Sequence, residues 1–375
     1  MKKQFIIFLF FSVQLYAQQD PNPHFPKQKI PVPCNQQFLN SYKGKWLVPR
    51  NSIFNSPGKS YATEAMKRIK MIHEMILQIY PQPMGSDGNW MGGYRKDYFA
   101  DRIKYVTEDG RTQRESVTQT PVEGWSYSMG LSPWFCSETP NEMWNGYPDA
   151  GGGNGMMVAA NSLPVLNGEV MDDPVWTIDG RPIKTKMHTI GQWKGYDLLA
   201  TNSGQFIQQN DNLYILITRN GMLPYIQVTR KQYLDRCITY TTKFYDQANK
   251  YAEMITDAAE KERIININTS AKNTALRKLQ DEMERTTRDG KLDSVAIVRP
   301  DPMLMNEGPI FLTEKEDGSM LVTENPAYFR KDLPAYIPQT FVLSWTWGAE
   351  KWCLDFKKAI EENFPVEQLK AMIDK

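Results

Sequence analysis

LYILITRNGMLPYIQVTRKQYL, residues 213–234, carries the signal that decides the fold class. Leu213 to Thr218 and Leu223 to Val228 are apolar, β-favouring runs on either side of Asn220-Gly221. That dipeptide tolerates the positive φ of a two-residue turn, so the pattern predicts a β-hairpin. The second run then passes straight into a helix signal. Thr229 with Gln232 three residues on makes a capping box, and Val228 with Tyr233 fits a hydrophobic staple. Thr241, Phe244, Ala248, Tyr251 and Ile255 alternate steps of three and four, which predicts a helix to about Lys261. Ser270 to Arg288 reads as a second, charged helix. Residues 229–288 thus form a long helical arm with a narrow apolar seam, read as packing of the two helices on each other.

Outward from this stretch the chain is a mixture of strands and helices without regular alternation. On the C-terminal side, Val295 to Val298, Pro309 to Thr313, Met320 to Thr323 and Phe341 to Trp347 read as strands, with Asp317-Gly318 joining the middle pair. Two helices, Glu350 to Asn363 and Val366 to Lys375, close the sequence. On the N-terminal side, Ala65, Ile69, Ile72, Ile76 and Ile79 mark one face of a helix from Ser60 to Tyr80, capped by Ser60 and stopped by Pro81 and Pro83. Tyr98 to Tyr105 and Arg111 to Thr118 predict a hairpin around Glu108-Asp109-Gly110, with further turn signals at Asn167-Gly168 and Asp179-Gly180. Gly151 to Gly155 is a loop. The expectation is an α+β protein of antiparallel hairpins and meanders with the arm and C-terminal helices. Its parts are a signal peptide (1–17), a Pro-rich extended lead-in (18–58), an α+β body (59–228), the arm (229–288) and a C-terminal part (289–375) packing on the body.

The beginning of the chain gives an address. Lys2 and Lys3 precede an apolar run from Phe5 to Val13, and Leu15-Tyr16-Ala17 offers a cleavage point, the pattern of an export signal. The run is shorter than the roughly 20 residues that span a bilayer, and no transmembrane segment follows it. The expected mature protein is soluble and lies in the periplasm or outside the cell. The formal charge is +1 and becomes −1 without Lys2 and Lys3. No basic stripe of the kind that grips phosphates is present, so nucleic acid is not an expected partner. Hydrophobic residues make up 41% of the chain, enough for a sizeable core. Pro21, Pro23, Pro26, Pro31 and Pro33 keep the lead-in extended. Cys34, Cys136, Cys237 and Cys353 would meet oxidising conditions after export, and their spacing leaves open both bridged and free states.

Several stretches resemble a group of exported proteins of Bacteroidota for which no activity is assigned. The resemblance is carried by Gly191-Gln192-Trp193-Lys194-Gly195-Tyr196, by Leu216 to Gly221 and by the block Leu223 to Leu234, which holds the pattern LPY-x-x-VTRK-x-YL. Asn325-Pro326-Ala327-Tyr328-Phe329, Leu333-Pro334 and Pro338-Gln339 echo it later. It implies an exported protein of that lineage and transfers no catalytic residue.

Catalytic constellations are hard to assemble from this composition. The three histidines are His24, His73 and His188. His73-Glu74-Met75-Ile76-Leu77 begins like a zinc-protease helix, but Leu77 stands where the second ligand is required. His73 therefore reads as a histidine at the border of an apolar stripe. Gly124-Trp125-Ser126-Tyr127-Ser128 misses the final glycine of a nucleophile elbow, and the glycine run at 151–155 lacks the lysine of a phosphate loop. No metal and no cofactor is expected. Carboxylate pairs need no local motif, so Glu123, Glu138, Glu142 and Asp149 stay in view. They share a segment with Trp125, Trp134, Trp144, Tyr127 and Tyr147, whose rings could stack on sugars or fill a core. The sequence leans towards a noncatalytic binding or envelope-associated interaction protein with a protein or glycan partner. The alternative is a secreted carboxylate-dependent hydrolase acting on polysaccharide or another extracellular polymer.

Overall fold

The computed structural model describes residues 27–47, 58–95, 101–106, 112–117, 124–146, 155–161, 166–169, 175–201, 211–219, 222–299, 308–316, 318–346 and 348–375. Residues 1–26 with His24, the Glu108–Gly110 segment, Glu123, Tyr147, Asp149, the glycines 151–153, Asn154 and Asn220-Gly221 lie outside the described residues.

The chain opens with β1 (Lys27–Lys29), α1 (Gln36–Ser41) and α2 (Lys59–Ile79). Next come β2 (Ser86–Arg95), β3 (Asp101–Val106), β4 (Thr112–Val117), β5 (Gly124–Cys136), β6 (Glu142–Asn145) and β7 (Gly155–Ala160). The middle holds β8 (Leu166–Glu169), β9 (Thr177–Ile178), β10 (Arg181–Pro182), β11 (Lys184–Lys186), β12 (His188–Trp193), β13 (Tyr196–Ala200), β14 (Leu213–Ile217) and β15 (Tyr225–Gln227). The arm is α3 (Arg230–Glu253) and α4 (Ala258–Arg288). It is followed by β16 (Ile297–Val298), β17 (Ser319–Glu324), β18 (Phe341–Thr346), α5 (Lys351–Asn363) and α6 (Val366–Lys370). The class is α+β.

Two sheets organise the chain. The larger is antiparallel and runs β1-β6-β5-β7-β18-β14-β13-β12, with β2 paired along β5. Period-two alternation sorts its residues between two faces. Trp125, Tyr127, Met129 and Leu131 of β5, Ile215 and Ile217 of β14, and Phe341, Leu343 and Trp345 of β18 point to one side. There α2, α5 and α6 cover them, supplying Ala65, Ile69, Ile72, Ile76, Phe356, Ile360 and Leu369. On the opposite side Val342 and Leu199 pack with Tyr328 and Phe329 from the segment before β18. The second sheet runs β15-β17-β11-β8, with β16 also on β17, and supports a separate core around Trp176, Tyr233, Leu234, Cys237, Phe311 and Leu321. Lys186 ends β11 and His188 begins β12, so the chain steps directly from one sheet to the other.

The expected hairpin across Asn220-Gly221 does not form. β14 lies between β13 and β18 in the large sheet, whereas β15 pairs with β17 in the second. Each flank buries its apolar side in a different core, Ile215 and Ile217 in the first and Val228 in the second, and this outweighs a local turn preference. Asn167-Gly168 is not a turn either. It lies within β8, and the register against β11 shifts between Lys184 and Thr185, a bulge at which Gly168 is the extra residue. Asp179-Gly180 does turn: both residues have positive φ, 49° and 75°, as a two-residue hairpin requires. β3 and β4 pair antiparallel with Val106 opposite Thr112, as expected.

Helix boundaries show similar corrections. α2 begins at Lys59 with Gly58 in the cap position, so Ser60 sits inside the helix. Its C-terminal end agrees with Pro81 as the stop. The arm turns at Met254–Asp257 rather than after Lys261, because Asp257 accepts from the Glu260 amide and caps α4. The Thr229 capping box is complete: Gln232 N donates to Thr229 Oγ1 at 3.2 Å and Thr229 N donates to Gln232 Oε1 at 2.9 Å. Pro309 to Thr313 is irregular, because Ile310, Phe311 and Leu312 are buried consecutively and the Glu316 carboxylate holds the Thr313 amide and hydroxyl.

Candidate functional site

Of the aromatic and acidic residues singled out between 123 and 149, those described are divided between two cores and a short surface strand. Trp125 is wholly buried in the main core, and its indole N–H donates to the Tyr336 carbonyl at 3.0 Å. Trp134 is buried in a smaller core with Ile30, Leu39 and Met143, edge-on to Tyr42. Neither leaves a ring face for a sugar. Trp144 is half-buried and stacks on exposed Phe135 at 4.7 Å between centroids. Glu142, on the same short strand, faces Lys27 at 3.7 Å and accepts from the Ser137 hydroxyl at 3.2 Å. Glu138 is exposed on the turn between β5 and β6. Cys34 and Cys136 form a disulfide that straps the lead-in to β5, while Cys237 and Cys353 are buried thiols outside any disulfide. Burial pushes the Cys237 thiol beyond the usual range and Cys353 up to about 12, so neither is a ready nucleophile. An open groove on the lead-in is lined by Val32, Pro33, Asn35, Gln37, Phe38 and Ser41, with no titratable side chain in it.

His73 is a packed histidine. Its ring stacks on Trp90 at 4.3 Å, meets Trp46 edge-on, and its Nδ1 lies 3.1 Å from the Tyr127 hydroxyl. Gly88 makes this box possible, since a Cβ there would come 2.3 Å from the Trp46 ring. Burial lowers the His73 pKa to about 4, so the ring is neutral at physiological pH. His188, half-buried at the start of β12, is far from the residues named above in sequence and stands on the edge strand of the sheet.

Two packed polar groups, one buried and one half-buried, escaped sequence reasoning. Lys186, 7% exposed, sits where the chain crosses between the sheets, and its Nζ donates to Thr189 Oγ1 at 3.1 Å. Burial lowers the pKa of this amine, while Asp197 and Glu314 pull the other way. The second is Arg219, which donates to the Tyr328 carbonyl at 2.6 Å and to Gln339 Oε1 at 2.7 Å, lies over the Tyr328 ring and faces Asp374 at 3.4 Å. Gln339 also accepts from the Arg330 amide, and its own amide donates to Asn161 Oδ1 at 2.6 Å. Segments far apart in sequence meet here and in one further place. Lys194-Gly195 forms the β12–β13 turn, from which Trp193 and Lys194 donate to the Glu361 and Glu362 carbonyls at the end of α5. Those carbonyls have no partner inside their helix, so the turn caps it. Both clusters hold backbone segments together.

Among the described residues, the arm carries apolar side chains from core to surface. At its base Tyr233, Leu234 and Cys237 of α3 and Leu279 of α4 enter the second core, with Trp176 against both Tyr233 and Tyr240. Farther out burial falls away: from Thr242 to Lys278, Ala252 alone is buried, and Lys278 still donates to the Gly308 carbonyl at 3.1 Å. Phe244, Tyr251, Met254 and Ile267 stand 43%, 58%, 78% and 53% exposed. Tyr233, Tyr240, Phe244, Tyr251 and Met254 recur at steps of seven, four, seven and three, one continuous stripe along α3. The stripe leaves the body as core and continues as surface. Lys272 pairs with Asp246 across the hairpin and Glu260 with Arg263 along α4.

Comparison with protein-family models, with curated proteins and with solved structures finds no match. Among the described residues, no three His, Cys, Asp or Glu side chains gather as a metal site, and no helix is long and apolar enough to cross a membrane.

Proposed function

We propose that this chain is an exported interaction protein without catalytic chemistry of its own, which meets a partner in the cell envelope through the far half of its helical arm. The observation that carries this reading is the run from Thr242 to Lys278, with Ala252 as its one buried residue and four large apolar side chains facing water. A pair of helices whose far half buries a single residue gains little from burial to offset its ordering, which supports a contact elsewhere. The export-type leader and the Cys34–Cys136 disulfide both suit an oxidising compartment, periplasmic or extracellular. The hydrolase alternative has less support, since Trp125 and Trp134 point inward and Glu142 is engaged by Lys27 and Ser137.

The reading is tested by replacing residues 244–271 with a short Gly-Ser turn and comparing cross-linked, co-purifying material with that of the full chain. Loss of the cross-linked species from a folded, shortened protein is expected. An unchanged set of partners would remove the arm from the account.

A further inference from the structure

With the buried sides of the two arm helices taken as facing each other, helical periodicity puts their exposed apolar residues on one side of the hairpin. At about 100° per residue, the stripe Phe244–Tyr251–Met254 is turned roughly a quarter turn from the buried Thr241 and Ala252 on α3. On α4, Ile267 is turned by nearly the same angle, in the same helical sense, from the buried Leu279 and Thr286. Antiparallel helices facing each other are related by a two-fold axis normal to their common plane. Equal offsets in the same sense therefore land on the same side. The far half of the arm presents a single apolar face built from both helices.

Charge is distributed unevenly along that half. The tip, residues 250–263, holds three bases (Lys250, Lys261, Arg263) against four acids (Glu253, Asp257, Glu260, Glu262), one negative charge net. The stems beside it, 243–249 and 264–278, hold four bases (Lys243, Lys272, Arg277, Lys278) against Asp246, three positive charges net. An acidic tip is a poor match for an anionic membrane surface. It is a good match for the basic stem of an identical arm lying in the opposite direction.

We propose that the apolar face is covered by a second copy of this chain, the two arms packing antiparallel about a two-fold axis as a four-helix bundle. The inference rests on the arm being the interaction element and names its partner. Two-fold packing is self-complementary, so each tip meets a stem in both halves of the contact and the apolar faces cover each other. Parallel arms would set stem against stem and tip against tip, like charge on like. The bundle also supplies the burial that the far half of one hairpin lacks.

Sedimentation velocity of the full chain across a concentration series tests it. A reversible dimer is expected, weakened by added sodium chloride because opposite charges meet. The double variant Tyr251→Glu, Met254→Glu alters two side chains that the single copy leaves in water, and should weaken the dimer by at least about 30-fold. Ile267→Lys, read alongside, should act in the same direction, and far-ultraviolet circular dichroism checks that both variants keep their helices. A full chain that stays monomeric throughout, or a dimer that survives these variants, would overturn the inference. So would a monomer that pellets with phosphatidylglycerol vesicles through the same face. The interaction reading would still stand in those cases if the shortened chain loses an envelope partner.

Discussion

The base and the far end of the arm are made from the same two helices, yet they obey different economies of burial. At the base, one turn of α3 places Tyr233 and Leu234 in the second core, both almost wholly buried, and a complete capping box fixes where the helix starts. Eighteen residues along the same stripe, Tyr251 is 58% exposed. Helical periodicity is continuous across the two regions; tertiary burial is not. An apolar stripe therefore states that a face wants covering, and only the fold says whether the chain covers it.

The widest contrast should appear on truncating the two ends of that stripe. Tyr233→Ala is expected to destabilise by about 3–5 kcal/mol, and Tyr251→Ala by less than about 0.5 kcal/mol, in urea unfolding at dilutions where the chain is monomeric. Equal losses would break the distinction. Replacing Cys34 and Cys136 by serine sharpens it in the body. Loss of this bridge, which closes 102 residues, should cost about 2–5 kcal/mol while exchange in the far arm stays unchanged. A third contrast comes from pH. Burial holds His73 at about 4, below the roughly 6.5 of an unfolded histidine, so the unfolded chain takes up the proton first. Its contribution is present above about pH 6.5 and is lost as pH falls towards 4, up to about 3 kcal/mol in all. His73→Gln should flatten stability against pH over that window, and a slope identical to the parent would contradict the packing described. The smallest of these effects belongs to the junction. Thr229→Ala removes one half of the capping box and should cost about 1 kcal/mol.

What was legible in the sequence follows the range of the interactions concerned. The capping box at Thr229, the stripe of α2 and the Asp179-Gly180 turn depend on residues within a few positions of one another, and each appears as read. The hairpin at Asn220-Gly221 failed because partners from distant parts of the chain, β18 and β17, compete for its two flanks. Trp125 and Trp134 were open between core and binding surface, and burial by α2, by Tyr336 and by the lead-in decides for core. Lys186 and Arg219 carried no local mark at all. Lys186 is distinguished by its burial, which no neighbour in sequence announces, and Tyr328, Gln339 and Asp374 each lie more than a hundred residues from Arg219. The exposure of Tyr251, Met254 and Ile267 was likewise invisible, since the same apolar letters would serve a buried seam.

Amide hydrogen exchange on the dilute, full chain examines the division within the arm most directly. Amides from Tyr233 to Thr241 and from Leu279 to Thr286 should be protected like the second core, while those between Thr242 and Lys278 exchange much faster through local opening. Protection running undiminished to Met254 in a monomeric sample would contradict it, because the far helices would then be held by the chain itself.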